Sequence, residues 1–407
     1  MKILIFSKHF WPDNFKINII AKELSKKKHN ITIITSDPNY HTFNKIRKYN
    51  YFFFMKKKKW NNINIYYIPS YKKKNFKWIN IFIEYLIFLV SSLFFCNFFL
   101  NKKYDIIFVF GTSPILQAFP AIYYSKIKKI PLILWVQDLW PDSLQDTGYV
   151  NSSLILKLIK LFVKFIYRNS NLILVQSDAF IKNIKNNFNI SFSKKIFTHY
   201  NFSEEGFVKS RLKENKNKNI LITYAGNFGN AQDFETLKLA MRNKNLDSNI
   251  YFQLIGSGKK FYEINKYILD YNLSNRVKII NYLQPKILRK YLIKSDAFFI
   301  TLNEGRALND TIPGKFQTYL SFGKPIIVNS RGILNKLIKK NDIGFFNEPG
   351  DYLQLVKNFN KISKLTLNKK KKIYNNLKKM YYKSFCKQTN INNLEKYFFK
   401  VYKSYNS

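Results

Sequence analysis

Leu132-Ile-Leu-Trp-Val-Gln-Asp-Leu-Trp-Pro-Asp-Ser143 is the stretch on which the fold turns. Its apolar run, Leu132–Val136, shows no polar alternation, and the chain then passes through Gln137 and Asp138 to a proline. A short, unbroken apolar run bounded by turn residues is a strand buried on both faces, and such strands belong to parallel sheets covered by helices. Ligands of open parallel sheets collect at the carboxyl ends of the strands, so Asp138 stands where a functional acid is expected.

Similar runs occur at Ile3–Phe6, Ile31–Thr35, Ile63–Ile68, Ile106–Phe110, Leu172–Gln176 and Ile196–His199. Helical patterns separate them near Asn14–Lys27, Leu116–Lys126 and Leu154–Tyr167, which reads as a Rossmann-like α/β domain. A polar Lys/Asn-rich stretch, Ser203–Asn219, precedes a second series at Ile220–Ala225, Ile250–Ile255, Val277–Ile280, Ala297–Leu302 and Ile326–Val328. The expected organisation is an N-terminal Rossmann-like domain over 1–202 and a second over 203–384. A C-terminal helix within 385–407 is expected to pack back on the first domain. Two such domains joined by a linker are expected to enclose a cleft faced by the strand ends of both sheets.

The 407 residues, 46% hydrophobic, suffice for two cores. The formal charge of +45 suggests nucleic acid at first sight, but the excess is Lys scattered along the chain with Asn and Ile. Nucleic-acid readers lean on Arg forks and clustered patches, so no nucleic-acid partner is expected. Runs such as Lys26–Lys28, Lys56–Lys59 and Lys369–Lys372 read as solvated faces. Cys96 and Cys386 lie far apart and lack metal-ligand spacing, which supports neither a disulfide framework nor a zinc site, and a reducing cytoplasm is expected.

Trp78–Leu100 is apolar enough to suggest a membrane span, interrupted by Asn80, Glu84 and Asn97. Lysines flank both ends (Lys72–Lys74, Lys77, Lys102, Lys103), and runs of one sheet lie on both sides, so a crossing would split that sheet. The segment is therefore read as a helix on the first domain with one apolar, Lys-bordered face for an anionic bilayer interface; a wholly buried helix is the alternative. The expected location is the inner face of the cytoplasmic membrane.

Four segments stand at predicted strand ends: Lys8-His-Phe-Trp-Pro-Asp-Asn-Phe-Lys-Ile-Asn18, Trp135–Ser143, Ala225-Gly-Asn-Phe-Gly-Asn-Ala-Gln-Asp233, and Asp310-Thr-Ile-Pro-Gly-Lys-Phe-Gln-Thr-Tyr-Leu-Ser-Phe-Gly-Lys-Pro325. In the last, a Pro-Gly-Lys turn opens a helix, where unpaired N–H groups, the dipole and Lys315 together suit a phosphate. With Pro38-Asn39-Tyr40, these segments in this order resemble the bacterial sugar transferases of glycosyltransferase family 4, in the branch adding N-acetylated amino sugars to O-antigen, capsule and colanic acid.

The resemblance covers essentially the whole chain and implies the GT-B architecture. It implies a retaining transfer from a UDP-sugar donor to a polyprenyl-diphosphate-linked saccharide, without a metal and without an Asp-x-Asp motif. Lys315 matches the lysine that neutralises the donor diphosphate, and Gly226, Asn227 and Gly229 match the loop that receives it. Where many members carry two glutamates eight residues apart, this sequence has Asp310 and Thr318; Glu304 is a substitute for the sugar contact, or an exposed loop acid. Asp138 is the acid expected to meet the acceptor hydroxyl or donor sugar, with capping of the next helix as the structural alternative. His9, Trp11 and Lys16 are expected to bind acceptor, Lys16 standing where the family pattern has Arg. A nucleotide-sugar 2-epimerase also uses two Rossmann-like domains and is the rival enzyme; a basic nucleic-acid-binding protein is the rival outside enzymes.

Overall fold

The computed structural model describes residues 1–36, 55–69, 78–96, 103–188, 195–209 and 219–407. Pro38-Asn39-Tyr40, the flanking Lys72–Lys74, Lys77 and Lys102, the 97–100 end of the apolar segment and the centre of the Ser203–Asn219 linker lie outside these residues. The chain forms two units, Met1–His199 with Ile391–Ser407, and Tyr200–Asn390.

In the first unit the strands β1 (Lys2–Phe6), β2 (Asn30–Ser36), β3 (Lys56–Trp60), β4 (Ile63–Ile68), β5 (Ile106–Gly111), β6 (Leu132–Val136), β7 (Leu172–Val175) and β8 (Ile196–Thr198) make one sheet. Their order is β3-β4-β2-β1-β5-β6-β7-β8. All pairings are parallel except β3 with β4. Residues Ile106–Gly111 and Leu132–Val136 are buried throughout, as two-sided coverage requires. The chain grows outward from β1 first toward β2 and β4, then reverses to β5 and β6, so the switch point lies between the carboxyl ends of β1 and β5.

The Lys56–Lys59 run is solvated as expected, with Lys57, Lys58 and Lys59 exposed, but it is also a strand, β3. These lysines form an antiparallel edge strand on β4, with Lys58 opposite Ile65. Exposed lysines on an edge discourage pairing with another chain, so the charge serves the strand rather than opposing it.

Helix α1 (Lys16–Lys26) follows β1, and α2 (Trp78–Cys96) follows β4. On α2 the positions Glu84, Phe88, Ser92 and Cys96 recur every four residues and are buried, while Leu86, Val90 and Phe94 face solvent. Glu84 pairs with Lys8 at 2.9 Å, and the Lys8 ammonium also lies 3.9 Å from the centroid of the Tyr85 ring. The acid that interrupts the apolar run is thus spent on anchoring α2 beside the end of β1. Among the described residues no helix is long and apolar enough to cross a membrane.

This unit also holds α3 (Ala118–Lys128), α4 (Asp142–Asp146), α5 (Ser153–Arg168) and α6 (Asp178–Phe188). From Ile391 onward the C-terminal helix joins the first unit. Leu394 and Phe398 are buried there, Phe398 sits 5.3 Å from the Phe108 ring, and Glu395 pairs with Lys27 at 2.6 Å and His29 at 2.7 Å.

The second unit holds β9 (Ile220–Ala225), β10 (Ile250–Ile255), β11 (Val277–Ile280), β12 (Ala297–Thr301), β13 (Ile326–Asn329) and β14 (Gly344–Asn347), ordered β11-β10-β9-β12-β13-β14 and all parallel. Its switch point lies between β9 and β12. Its helices up to the end of β13 and just beyond are α7 (Phe234–Met241), α8 (Phe261–Asp270), α9 (Pro285–Lys294), α10 (Arg306–Asp310), α11 (Gly314–Ser321) and α12 (Ile333–Asn341).

Candidate functional site

In the second unit three strand-end segments converge. β9 is followed by Gly226 at φ +154°, and β10 by Gly256 at φ +150°. A Cβ on Gly256 would stand 1.8 Å from the Gly226 carbonyl oxygen, so these two loops pass at a distance only glycine permits. The Gly226 N–H donates to the Ile255 carbonyl at 2.9 Å and the Phe228 N–H to the Ser257 carbonyl at 2.8 Å.

The third segment is α11, whose N-terminus begins after Pro313 with no side-chain cap. Lys315 reaches from it across β9: its ammonium donates to the Tyr224 hydroxyl at 2.8 Å and lies 4.1 Å from that ring's centroid. A Cβ on Gly226 would come within 3.1 Å of Nζ, so Lys315 rests directly on the glycine loop. One helical turn on, the Tyr319 hydroxyl accepts from the Ala225 N–H at 2.6 Å and donates to its carbonyl at 3.1 Å. Tyr319 and Lys315 therefore clamp α11 to the end of β9. Burial pushes the Lys315 ammonium down to about 7, although the residue keeps partial exposure. A cation held against a glycine loop beside uncapped helix amides suits an anion that restores its charge.

The loop expected to receive a diphosphate is narrower in practice than the whole of Gly226–Gly229. The amides of Gly226 and Phe228 are taken by the β10 segment, and that of Gly229 donates to Gln232 Oε1 at 3.0 Å. Asn227 is exposed and its amide is the one in this run left for a ligand. Of the other donor-site candidates, Thr318 lies one turn beyond Lys315, and its hydroxyl donates to the Gly314 carbonyl at 3.3 Å. Asp310 closes α10 on the approach to α11 and is partly exposed. Glu304 follows β12 and pairs with Arg331 at 3.3 Å, which Glu348 also holds, at 2.8 Å.

Sequence reading missed Tyr224, Tyr319 and the Gly256-Ser257-Gly258 turn. The turn had a signal, a Gly-x-Gly directly after an apolar run. The tyrosines had none, since each looks like an ordinary aromatic on a buried strand or helix.

In the first unit the strand ends are laced across the switch point. Gln117 Oε1 accepts from the Lys8 N–H after β1 at 2.7 Å, and its amide donates to the Thr112 carbonyl after β5 at 2.7 Å. Asp138, just past β6, accepts from both the N–H and the hydroxyl of Ser113 at 2.9 Å, and Trp140 Nε1 donates to that hydroxyl oxygen at 3.0 Å. Capping is set aside as the role of Asp138, because α4 starts after Pro141 with no side-chain cap. Burial raises the Asp138 carboxyl above its ordinary value, and the two Ser113 bonds only partly pull it back.

His9 stacks on Phe15 at 4.8 Å, Trp11 stacks on Trp60 of β3 at 5.8 Å, and Lys16 opens α1, all within the β1–α1 connection. Tyr67 fixes that loop by donating to the Trp11 carbonyl at 2.6 Å. His199 is a packing residue against Trp135 and Tyr397, and burial pushes its imidazole down to about 3. Among the described residues no cluster of three or more His, Cys, Asp or Glu side chains suits a metal ion.

Residues 207–380 match the family model Glycosyl transferases group 1. No curated protein matches the sequence. Among solved structures, sucrose-phosphate synthase from Thermosynechococcus elongatus superposes with a TM-score of 0.71 at 12% identity, covering 99% of both chains. Anabaena Alr3699/HepE in complex with UDP and glucose gives 0.67 at 14% identity, over 98% of this chain and 100% of that one. The lipopolysaccharide outer core galactosyltransferase WaaB in its apo form gives 0.66 at 12%, over 98% and 99%. Likeness at such identities carries the fold, and the family match is confined to the second unit: the chain has the GT-B fold, and its residues 207–380 are similar to the glycosyl transferases group 1 family.

Proposed function

We propose that the protein is a retaining glycosyltransferase that moves a sugar, an N-acetylated amino sugar by the resemblance of its motifs, from a UDP-sugar to a polyprenyl-diphosphate-linked saccharide in surface polysaccharide synthesis. The observation that carries the proposal is the seating of Lys315 on the Gly226 loop at the uncapped start of α11, within the residues similar to the glycosyl transferases group 1 family. A neighbour of the same fold was solved with UDP and glucose, which supports a uridine nucleotide as the ligand.

In this reading Lys315, the Asn227 amide and the first amides of α11 hold the donor diphosphate. Charge grows on the β-phosphate oxygen as its bond to the anomeric carbon breaks, and Lys315 stabilises it there, a contribution made chiefly in the transition state. The acceptor oxygen bonds to the same face of that carbon, and its proton passes to the departing diphosphate. Thr318 and Asp310 serve the ribose and sugar. Asp138 contacts the acceptor hydroxyl or donor sugar, and Ser113 fixes its orientation; His9, Trp11 and Lys16 bind the acceptor, with Lys16 on its phosphate. Cationic and backbone groups take the role a metal has elsewhere. The protein then acts at the cytoplasmic face of the membrane.

The reading is tested by incubating the protein with a UDP-sugar and a polyprenyl-diphosphate-linked saccharide and recording the anomeric configuration of the product by NMR. A product with the donor's configuration is expected. Inversion contradicts the same-face route, and solvent isotope entering the free nucleotide sugar without acceptor identifies an epimerase instead.

A further inference from the structure

α5 is apolar on two sides. Val163, Ile166 and Tyr167 face the core, yet Leu154, Leu158, Leu161 and Phe165 form a second stripe at i, i+4, i+7 and i+11 that faces solvent, with Leu154 68% and Leu161 63% exposed. A stripe of this spacing is what a helix ordinarily turns inward. Along one border of it run Lys157, Lys160, Lys164 and Arg168, also on one face by helical spacing.

The stripe continues onto neighbouring helices. α3 touches both α2 and α5, and its Phe119 stacks on Phe165 at 5.5 Å. α3 adds exposed Tyr123 and Ile127, and α2 adds Leu86, Val90 and Phe94. Neither α3 nor α5 contains an acid, and the single acid of α2, Glu84, is buried against Lys8. An apolar face bordered by lysines and lacking acids matches one surface, the interface of a bilayer with anionic headgroups. A second copy of the chain packed antiparallel across a two-fold axis is a poor occupant, since that contact would set the same lysine row against itself.

We propose that the outward face of α5, continued by α3 and α2, docks the protein on an anionic lipid leaflet, with α5 lying in the interfacial plane. The sequence placed this role on Trp78–Leu100 alone; here α5 supplies the wider apolar face and the basic border. The proposal deepens the lipid-linked acceptor reading and rests on it for its purpose, while the binding itself is measured without any sugar.

The test uses the full chain and sedimentation with phosphatidylcholine vesicles, with and without phosphatidylglycerol, at low salt and at about 0.5 M. The wild type is expected to bind the anionic vesicles. Leu158→Gln/Leu161→Gln and Lys157→Gln/Lys160→Gln are each expected to weaken binding about tenfold or more, with the melting temperature and donor hydrolysis in solution unchanged. Three results overturn the proposal: no binding to anionic vesicles at low salt; a leucine pair that binds as wild type, so that charge alone accounts for the attraction; or a wild-type dimer dissolved by the leucine pair. Vesicle binding without any donor turnover instead sinks the glycosyltransferase reading and leaves this surface standing.

Discussion

Binding of UDP at pH 8 should draw a proton into the protein. In the free site burial holds the Lys315 ammonium at about 7, so at pH 8 only about a tenth of the molecules carry that charge. A diphosphate seated on the α11 amides places negative charge beside Nζ and restores the ammonium toward its ordinary value, making it almost fully protonated. The terminal phosphate is already ionised at that pH and contributes little. The expected uptake is therefore about 0.9 proton per UDP bound. Isothermal titration calorimetry in buffers of different ionisation enthalpy reads this number directly. Affinity should correspondingly fall about tenfold per pH unit above 7, levelling off near the bound-state value. An uptake near zero, or one that survives in Lys315→Met, would refute the placement of the diphosphate at this lysine.

Three further outcomes are expected. Lys315→Met should lower transferase turnover by about 10²-fold yet stabilise the ligand-free protein near pH 6 by about 2 kcal/mol, read from urea midpoints. The sign follows from the depressed value: the unfolded chain keeps its proton to about 10.5 while the folded one loses it near 7, so wild-type stability rises across that window and the variant's advantage shrinks. Gly256→Ala forces a Cβ into the Gly226 carbonyl at a φ closed to alanine, and should cost about 3 kcal/mol, a melting shift of about 6–12 °C seen by calorimetry. Glu84→Ala leaves the Lys8 ammonium buried without its carboxylate and should cost about 3–5 kcal/mol in chemical denaturation.

The sheets were legible because two-sided burial demands unbroken apolar runs, and runs such as Ile106–Phe110 and Ile220–Ala225 appear as β5 and β9. β3 was hidden because its Lys56–Trp60 sequence opposes strand formation locally and forms one only by pairing with β4. β14 was hidden because Gly344–Asn347 is short and opens on glycine. At the candidate donor site, Pro313-Gly314-Lys315 is readable as punctuation with a charge attached. Its companions Tyr224 and Tyr319 acquire meaning only when the sheet order sets β9 beside β12 and lays α11 over the β9 end. Asp138 was visible as a strand-end acid, whereas Ser113, which holds it, lies beyond another strand and helix. The second apolar stripe of α5 was visible as pattern, but periodicity alone does not say which of two apolar faces the core takes.

A nucleotide-sugar site built on Lys315 is open to test with a panel of UDP- and GDP-linked sugars, following release of the nucleoside diphosphate for wild type and Lys315→Met. A UDP-sugar should be turned over by the wild type and about 10²-fold more slowly by the variant. Absence of binding and turnover across the panel, or equal rates for the two proteins, would contradict such a site.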